Sequence, residues 1–195
     1  MRGEELSSES LARYRGFNDR VGVAHSRGNL GFAALCQGNY DQTREHLTEA
    51  LILFQDLGNK RGIAYSLTNL GIMETDQGKH EQGKQRFNES LRLYRSLGDK
   101  AGIAYDLDGL AVVAGGRGER EQAARLFGMA AALREGIHAP LSKADQLIHD
   151  RLWNRARSST IHSQSDEAVW DAAWSGGHSM SLGQIIIEVD EKCAR

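Results

Sequence analysis

Residues 62–101 read GIAYSLTNLGIMETDQGKHEQGKQRFNESLRLYRSLGDKA, and the 40 residues before them, 22–61, read GVAHSRGNLGFAALCQGNYDQTREHLTEALILFQDLGNKR. The two stretches agree at 15 of 40 positions, among them Ala24/Ala64, Asn29/Asn69, Gly31/Gly71 and Gly58/Gly98. Residues 102–140 keep the same phase, with Gly22/Gly62/Gly102, Leu30/Leu70/Leu110, Gly38/Gly78/Gly118, Gln42/Gln82/Gln122 and Leu53/Leu93/Leu133 recurring at a period of 40. Recurrence of this kind marks a repeat architecture, in which each unit is one supersecondary element that cannot bury its apolar face alone.

Within the middle copy, Ile63, Leu67, Leu70 and Met73 fall at helical spacing as far as Gly78, a residue suited to the left-handed position that closes a helix. Glu81 opens a second periodic run through Phe87, Leu91, Tyr94 and Leu97, which Gly98 stops; an acidic residue in a first turn complements the helix dipole. Each copy is thus a helical hairpin, with turns expected at 38–41, 78–81 and 118–121 and connections between hairpins near 58, 98 and 138. One proline, Pro140, beside 22 glycines fits short helices punctuated by glycine. Hairpins with two apolar faces must stack, and stacking at a fixed small rotation makes a superhelix with a concave groove. The expected fold is all-α: tandem helical hairpins in a solenoid, without strands.

The ends depart from the period. Residues 6–20 are in phase with 46–60, so 1–20 read as a partial repeat, the second helix of a hairpin whose first helix is missing. This fits a fragment, a shortened gene or a surface covered by another copy. Residues 21–140 hold the three hairpins. Beyond Pro140, three more helices are signalled and assigned to a C-terminal helical cap, 141–195. SerLysAlaAsp at 142–145 starts the first, through Leu147, Ile148, Leu152 and Ala156. Ser165 caps the second, with Val169, Trp170, Ala173 and Trp174, and SerLeuGlyGln at 181–184 opens the third. Residues 157–165 are read as a polar link, and Leu182, Ile185, Ile186 and Val189 as one aliphatic stripe that seals the last hairpin.

LeuThrAsnLeuGly at 67–71, Gly78, Gly83, Phe87 and Ser90 stand where the tetratricopeptide motif has its large, small and glycine positions, and the three hairpins resemble that family. The period exceeds the family's commonest 34, and LeuGlyAsn or LeuGlyAsp replaces its helix-ending proline. HEAT-type packing, also near 40 residues, explains the LeuGly and Gly positions less well. A narrower resemblance lies in LeuPheGlyMetAlaAlaAlaLeuArgGluGlyIleHisAlaProLeu at 126–141, AlaValTrpAspAlaAlaTrp at 168–174 and MetSerLeuGlyGln at 180–184. These look like the C-terminus of large bacterial signal-transduction ATPases (STAND type) and of LuxR-type or AfsR-type transcriptional regulators. In that family the repeats form a sensor arm behind a nucleotide-switching domain. The sequence has neither a GxxxxGK phosphate loop nor a helix-turn-helix, so only the sensor or scaffold role is carried over.

By the tetratricopeptide resemblance, the first helix of each hairpin lines the concave groove. The groove positions are then His25, Phe32 and Leu35 in the first copy, Tyr65, Thr68, Ile72, Thr75 and Asp76 in the second, and Tyr105, Asp108 and Val112 in the third. His25, Tyr65 and Tyr105 form a ladder at the repeat period. Rings with a polar tip supply contact area at low entropic cost, although they would equally serve to pack hairpins together.

Composition narrows the function. Lys plus Arg, 24, nearly balances Asp plus Glu, 26, so the broad positive field of a nucleic-acid or membrane-surface binder is missing. No apolar run approaches the ~20 residues of a spanning helix, and the polar start is no signal peptide; a cytoplasmic protein is expected. Cys36 and Cys193 lack metal spacing and are read as free thiols. GlyGlyArgGly at 115–118 lacks the Lys-Ser/Thr of a phosphate loop, GlyGlyHisSer at 176–179 reads as a turn, and no two of the seven histidines sit four apart. No catalytic residue, cofactor or metal is therefore expected. The expected function is a protein- or peptide-binding scaffold whose partner is a protein segment or a small effector. The alternative is a self-associating element that forms a homo-oligomer through the N-terminal helix.

Overall fold

The computed structural model describes residues 2–138 and 140–193, with side chains described over 6–138 and 140–188. Among the described residues there are ten α-helices and no strand: α1 (Arg2–Gly16), α2 (Arg20–Cys36), α3 (Tyr40–Asp56), α4 (Lys60–Asp76), α5 (His80–Ser96), α6 (Lys100–Gly116), α7 (Arg120–Gly136), α8 (Lys143–Thr160), α9 (Gln164–His178) and α10 (Leu182–Cys193). Helices α2/α3, α4/α5 and α6/α7 are the three hairpins, with their turns where the repeat places them.

The turns repeat at half the sequence period. Left-handed backbone occurs every 20 residues, at Asn18, at five glycines from Gly38 to Gly118, and at His138. Gly78 is representative: its φ is +78°, and nothing lies within 4 Å of where a Cβ would stand, so conformation rather than space demands glycine there. Its N–H donates to the Thr75 carbonyl and that of Lys79 to the Glu74 carbonyl, closing α4. Asp19, Asn59 and Asp99 then cap α2, α4 and α6 by accepting from the N–H groups of Gly22, Gly62 and Gly102 at 2.9–3.0 Å.

Ring-on-glycine contacts set the stacking. Inside the second hairpin, Phe87 of α5 lies so close to Gly71 of α4 that an added Cβ would stand 2.8 Å from the ring. From one hairpin to the next, Tyr14, Phe54 and Tyr94 press on Gly22, Gly62 and Gly102, each 2.3 Å from an added Cβ. Phe54, Phe87 and Phe127 are among the largest fully buried side chains. The first helices also touch one another, α2 on α4 and α4 on α6, and make the inner, concave layer.

The three C-terminal helices take different paths. α8 does not stack beyond α7. It packs on α6, reaches α2, and so lies over the concave face, whereas α9 runs along α7 and α10 touches α7 and α5. The physical reason is visible in the repeat phase. Position 134, where Phe54 and Tyr94 put a ring, holds Arg134, and position 142, in phase with Gly62 and Gly102, holds Ser142, the cap of α8. The ring-on-glycine contact that registers one hairpin on the next is therefore absent, and α8 turns inward. Residues 157–160 belong to α8, with Thr160 buried and donating to the Ala156 carbonyl, rather than to a polar link. Ser163, not Ser165, caps α9, accepting from the Asp166 N–H. Residues 176–178 are helical rather than a turn because α9 packs on α7, and Gly177 permits the Arg125 carbonyl to approach within 2.1 Å of an added Cβ. Leu147 is exposed, outside the apolar face of α8. In α10, Ile185 is fully buried and Leu182 and Ile186 are half-buried against the core. The expected burial of Val189 and the state of Cys193 lie outside the described side chains, while Cys36 is a free thiol.

Candidate binding pocket on the concave face

The inner layer and α8 enclose a pocket of about 400 Å³. Of the eleven groove positions expected from the sequence, six line it: His25 and Phe32 from α2, Tyr65, Thr68 and Ile72 from α4, and Tyr105 from α6. The period-40 ladder is thus brought to one cavity, because residues at equal phase on parallel, stacked helices face the same way. Phe32 and Tyr65 rings are 6.4 Å apart, and His25 meets Phe54 edge-on at 5.1 Å. Tyr105 lies beneath the Arg134 guanidinium, 5.4 Å from its ring centre, and its hydroxyl bonds Asp145 of α8. Burial raises the phenol pKa of Tyr65 and Tyr105 above the ordinary value, so both keep hydroxyls able to donate.

Polar groups punctuate this apolar wall. Asn29 and Asn69 line it, Asn69 donating to the Tyr65 carbonyl at 2.9 Å, and Arg61 pairs with Asp99 at 3.3 Å across the rim. Thr68 donates to Asp106 at 2.7 Å and lies 2.8 Å from the Ser90 hydroxyl. Asp106 is fully buried; desolvation pushes its carboxyl well above the usual range, although hydrogen bonds from Thr68 and Ser90 oppose the shift.

The other five expected positions lie outside the pocket. Leu35, Thr75 and Val112 are buried, so they serve packing rather than an open groove. Asp76 and Asp108 face α8. Asp76 pairs with Arg151 at 2.7 Å and Arg155 at 3.4 Å, and Asp108 with Arg134 and, at 3.1 Å, with His149. Burial raises the Asp76 pKa, and the two arginines pull it back.

Several pocket residues are missing from the sequence reading. Phe54 and Tyr94, and Asn29 and Asn69, recur at the period, which was the available signal. Asp145 and Ile148 carried none, since they arrive on α8 from outside the repeat. Among the described residues, no three of His, Cys, Asp and Glu come together in a metal-binding arrangement, and no helix is long and apolar enough to cross a membrane.

No curated protein and no solved structure is similar to the chain at a significant level. The tetratricopeptide repeat family matches it in two overlapping stretches, residues 22–96 and 62–136, which are the three hairpins. Proteins built of this repeat generally act as scaffolds for protein–protein interaction. By its 40-residue hairpins, its ring-on-glycine stacking and this match over more than half its length, the chain belongs to the tetratricopeptide repeat family.

Proposed function

We propose that the chain is a protein-interaction arm that takes a short segment of a partner protein into the pocket between α2, α4, α6 and α8. The observation that carries this is the convergence of His25, Phe32, Tyr65 and Tyr105 on one cavity of about 400 Å³. Concave, largely apolar sites with a few placed polar groups are the usual form of a recognition pocket, and phenol rings supply anchoring area at low entropic cost. A small effector of similar shape would use the same wall. The resemblance of 126–141, 168–174 and 180–184 to bacterial LuxR-type, AfsR-type and STAND regulators supports a place as the sensor arm of a cytoplasmic regulatory protein. Its role there is recognition, with no step of catalysis.

Selection of peptides from a random library against the whole chain tests the pocket. Selected peptides should lose at least about tenfold in affinity, or ~1.4 kcal/mol, on Tyr65→Ala and on Tyr105→Ala, with helical circular dichroism unchanged. Peptides indifferent to both substitutions would contradict the reading.

A second reading, self-association through α1, is favoured by one observation. Leu6, Phe17 and Val21 are 57%, 82% and 47% exposed along α1 and at the start of α2, apolar groups that an isologous contact would cover. Light scattering across concentration separates the two, a dimer that Phe17→Asp dissolves supporting the second.

A further inference from the structure

We propose that α8 occupies, within its own chain, a groove fitted to a partner's helix, and that the partner which replaces it is an amphipathic helix carrying two arginine or lysine side chains one turn apart. This rests on the concave face being the binding face.

Asp76, the last residue of α4, has a side chain only 2% exposed. Its basic partners, Arg151 and Arg155, both come from α8, four residues apart and hence one turn apart on one face. From the hairpins the Tyr40 hydroxyl donates to it at 3.4 Å. A buried carboxylate without a cation is costly, so the helix that covers Asp76 has to bring the cation with it, as α8 does.

The same arginines reach backbone at the ends of two helices. Arg151 donates to the Leu35 carbonyl at 3.3 Å and Arg155 to the Asp76 carbonyl at 2.8 Å. These are the C-terminal ends of α2 and α4, where the helix dipole is negative. What the groove reads is therefore positive charge at one-turn spacing. Beneath it, Ile148, Leu152 and Ala156 form a narrow buried stripe at i, i+4 and i+8, and Ala156 fits against Gly115, where an added Cβ would be 3.1 Å from the Ala156 Cα. Such a stripe is the ordinary face of a helix docked in a groove. α9 packs chiefly along α7, so α8 leaves by breaking its contacts with the inner layer and with α9, the latter being Trp153 on Trp170 at 5.5 Å and Arg157 with Glu167 at 2.7 Å.

The test uses the full chain and a fluorescent synthetic peptide of residues 143–160, KADQLIHDRLWNRARSST. Arg151→Glu with Arg155→Glu in the chain should release α8, and the peptide should then bind at least about tenfold tighter than to the unaltered chain. Adding Asp76→Ala, or reversing the same two charges in the peptide, should remove that binding. Equal binding to both chains, or no loss on charge reversal of the peptide, overturns the proposal. So does a dimer of the released variant in light scattering, since the occupant would then be a second copy. A milder variant, Arg151→Ala with Arg155→Ala, guards against misfolding of the first. Its residues 143–160 should exchange amide hydrogens well before 22–136, and exchange of 143–160 only together with 22–136 overturns the proposal. The charge-reversed peptide reads Asp76, which does not line the pocket, whereas the selected peptides read Tyr65 and Tyr105, so failure of the pocket reading and failure of this one are distinguishable.

Discussion

Left-handed backbone at 20-residue intervals falls on glycine five times and on Asn18 and His138 at the two ends of the series. An L residue with a side chain pays about 1–2 kcal/mol for that conformation. Gly78→Ala should therefore lower stability by about 1–2 kcal/mol in urea unfolding, although the added methyl meets nothing within 4 Å. His138→Gly should do the reverse, by up to about 1 kcal/mol. Asp106 is the second residue with a measurable signature. Its folded pKa is raised above the unfolded one, so its proton is held more tightly in the fold. Stability from this group is present in full below about pH 4, falls as pH rises toward the folded value, and stays low above it. Asp106→Asn, which cannot ionise, should flatten that part of the pH profile and raise stability at pH 7 by about 1 kcal/mol. A variant with an unchanged profile would show that Asp106 is charged in the fold.

The elements are held by ring-on-glycine contacts, and Phe87 makes two of them, against Gly71 and Gly109. Phe87→Ala should cost about 3–5 kcal/mol, because the helices around it cannot close the space it leaves. In α10 the burial of the stripe is uneven: Ile185 is fully buried, whereas Ile186 is half-buried. Ile185→Asp should therefore lower stability by about 3 kcal/mol or more and Ile186→Asp by less, read from thermal melting. Equal effects would mean that both side chains are equally enclosed. The hairpins were legible in the sequence since each is fixed by local signals repeated in phase: a glycine to end a helix, an Asn or Asp to begin one, a ring opposite a glycine. The path of α8 was not, because its apolar residues 148, 152 and 156 define a helical face without naming the surface that covers it. Its arginines find Asp76 at a sequence distance of 75 and 79 residues, where no periodicity reaches.

At the scale of the whole molecule, stacking puts equal positions of three hairpins on one inner face, and α8 divides that face. One part stays open as the pocket with Tyr65 and Tyr105; the other, around Asp76, is filled. Six of the eleven groove positions could be placed from the repeat alone, since phase determines which way a side chain points. The remaining five were displaced from the open surface by a helix outside the repeat and by burial in the core. On the proposed reading, a partner binds on this concave layer. Hydrogen exchange of the chain with and without a selected peptide is the test: exchange should slow most in residues 25–32, 65–72, 101–105 and 145–148, with α7 unchanged, and slowing confined to α7 or to α1 would place the peptide elsewhere.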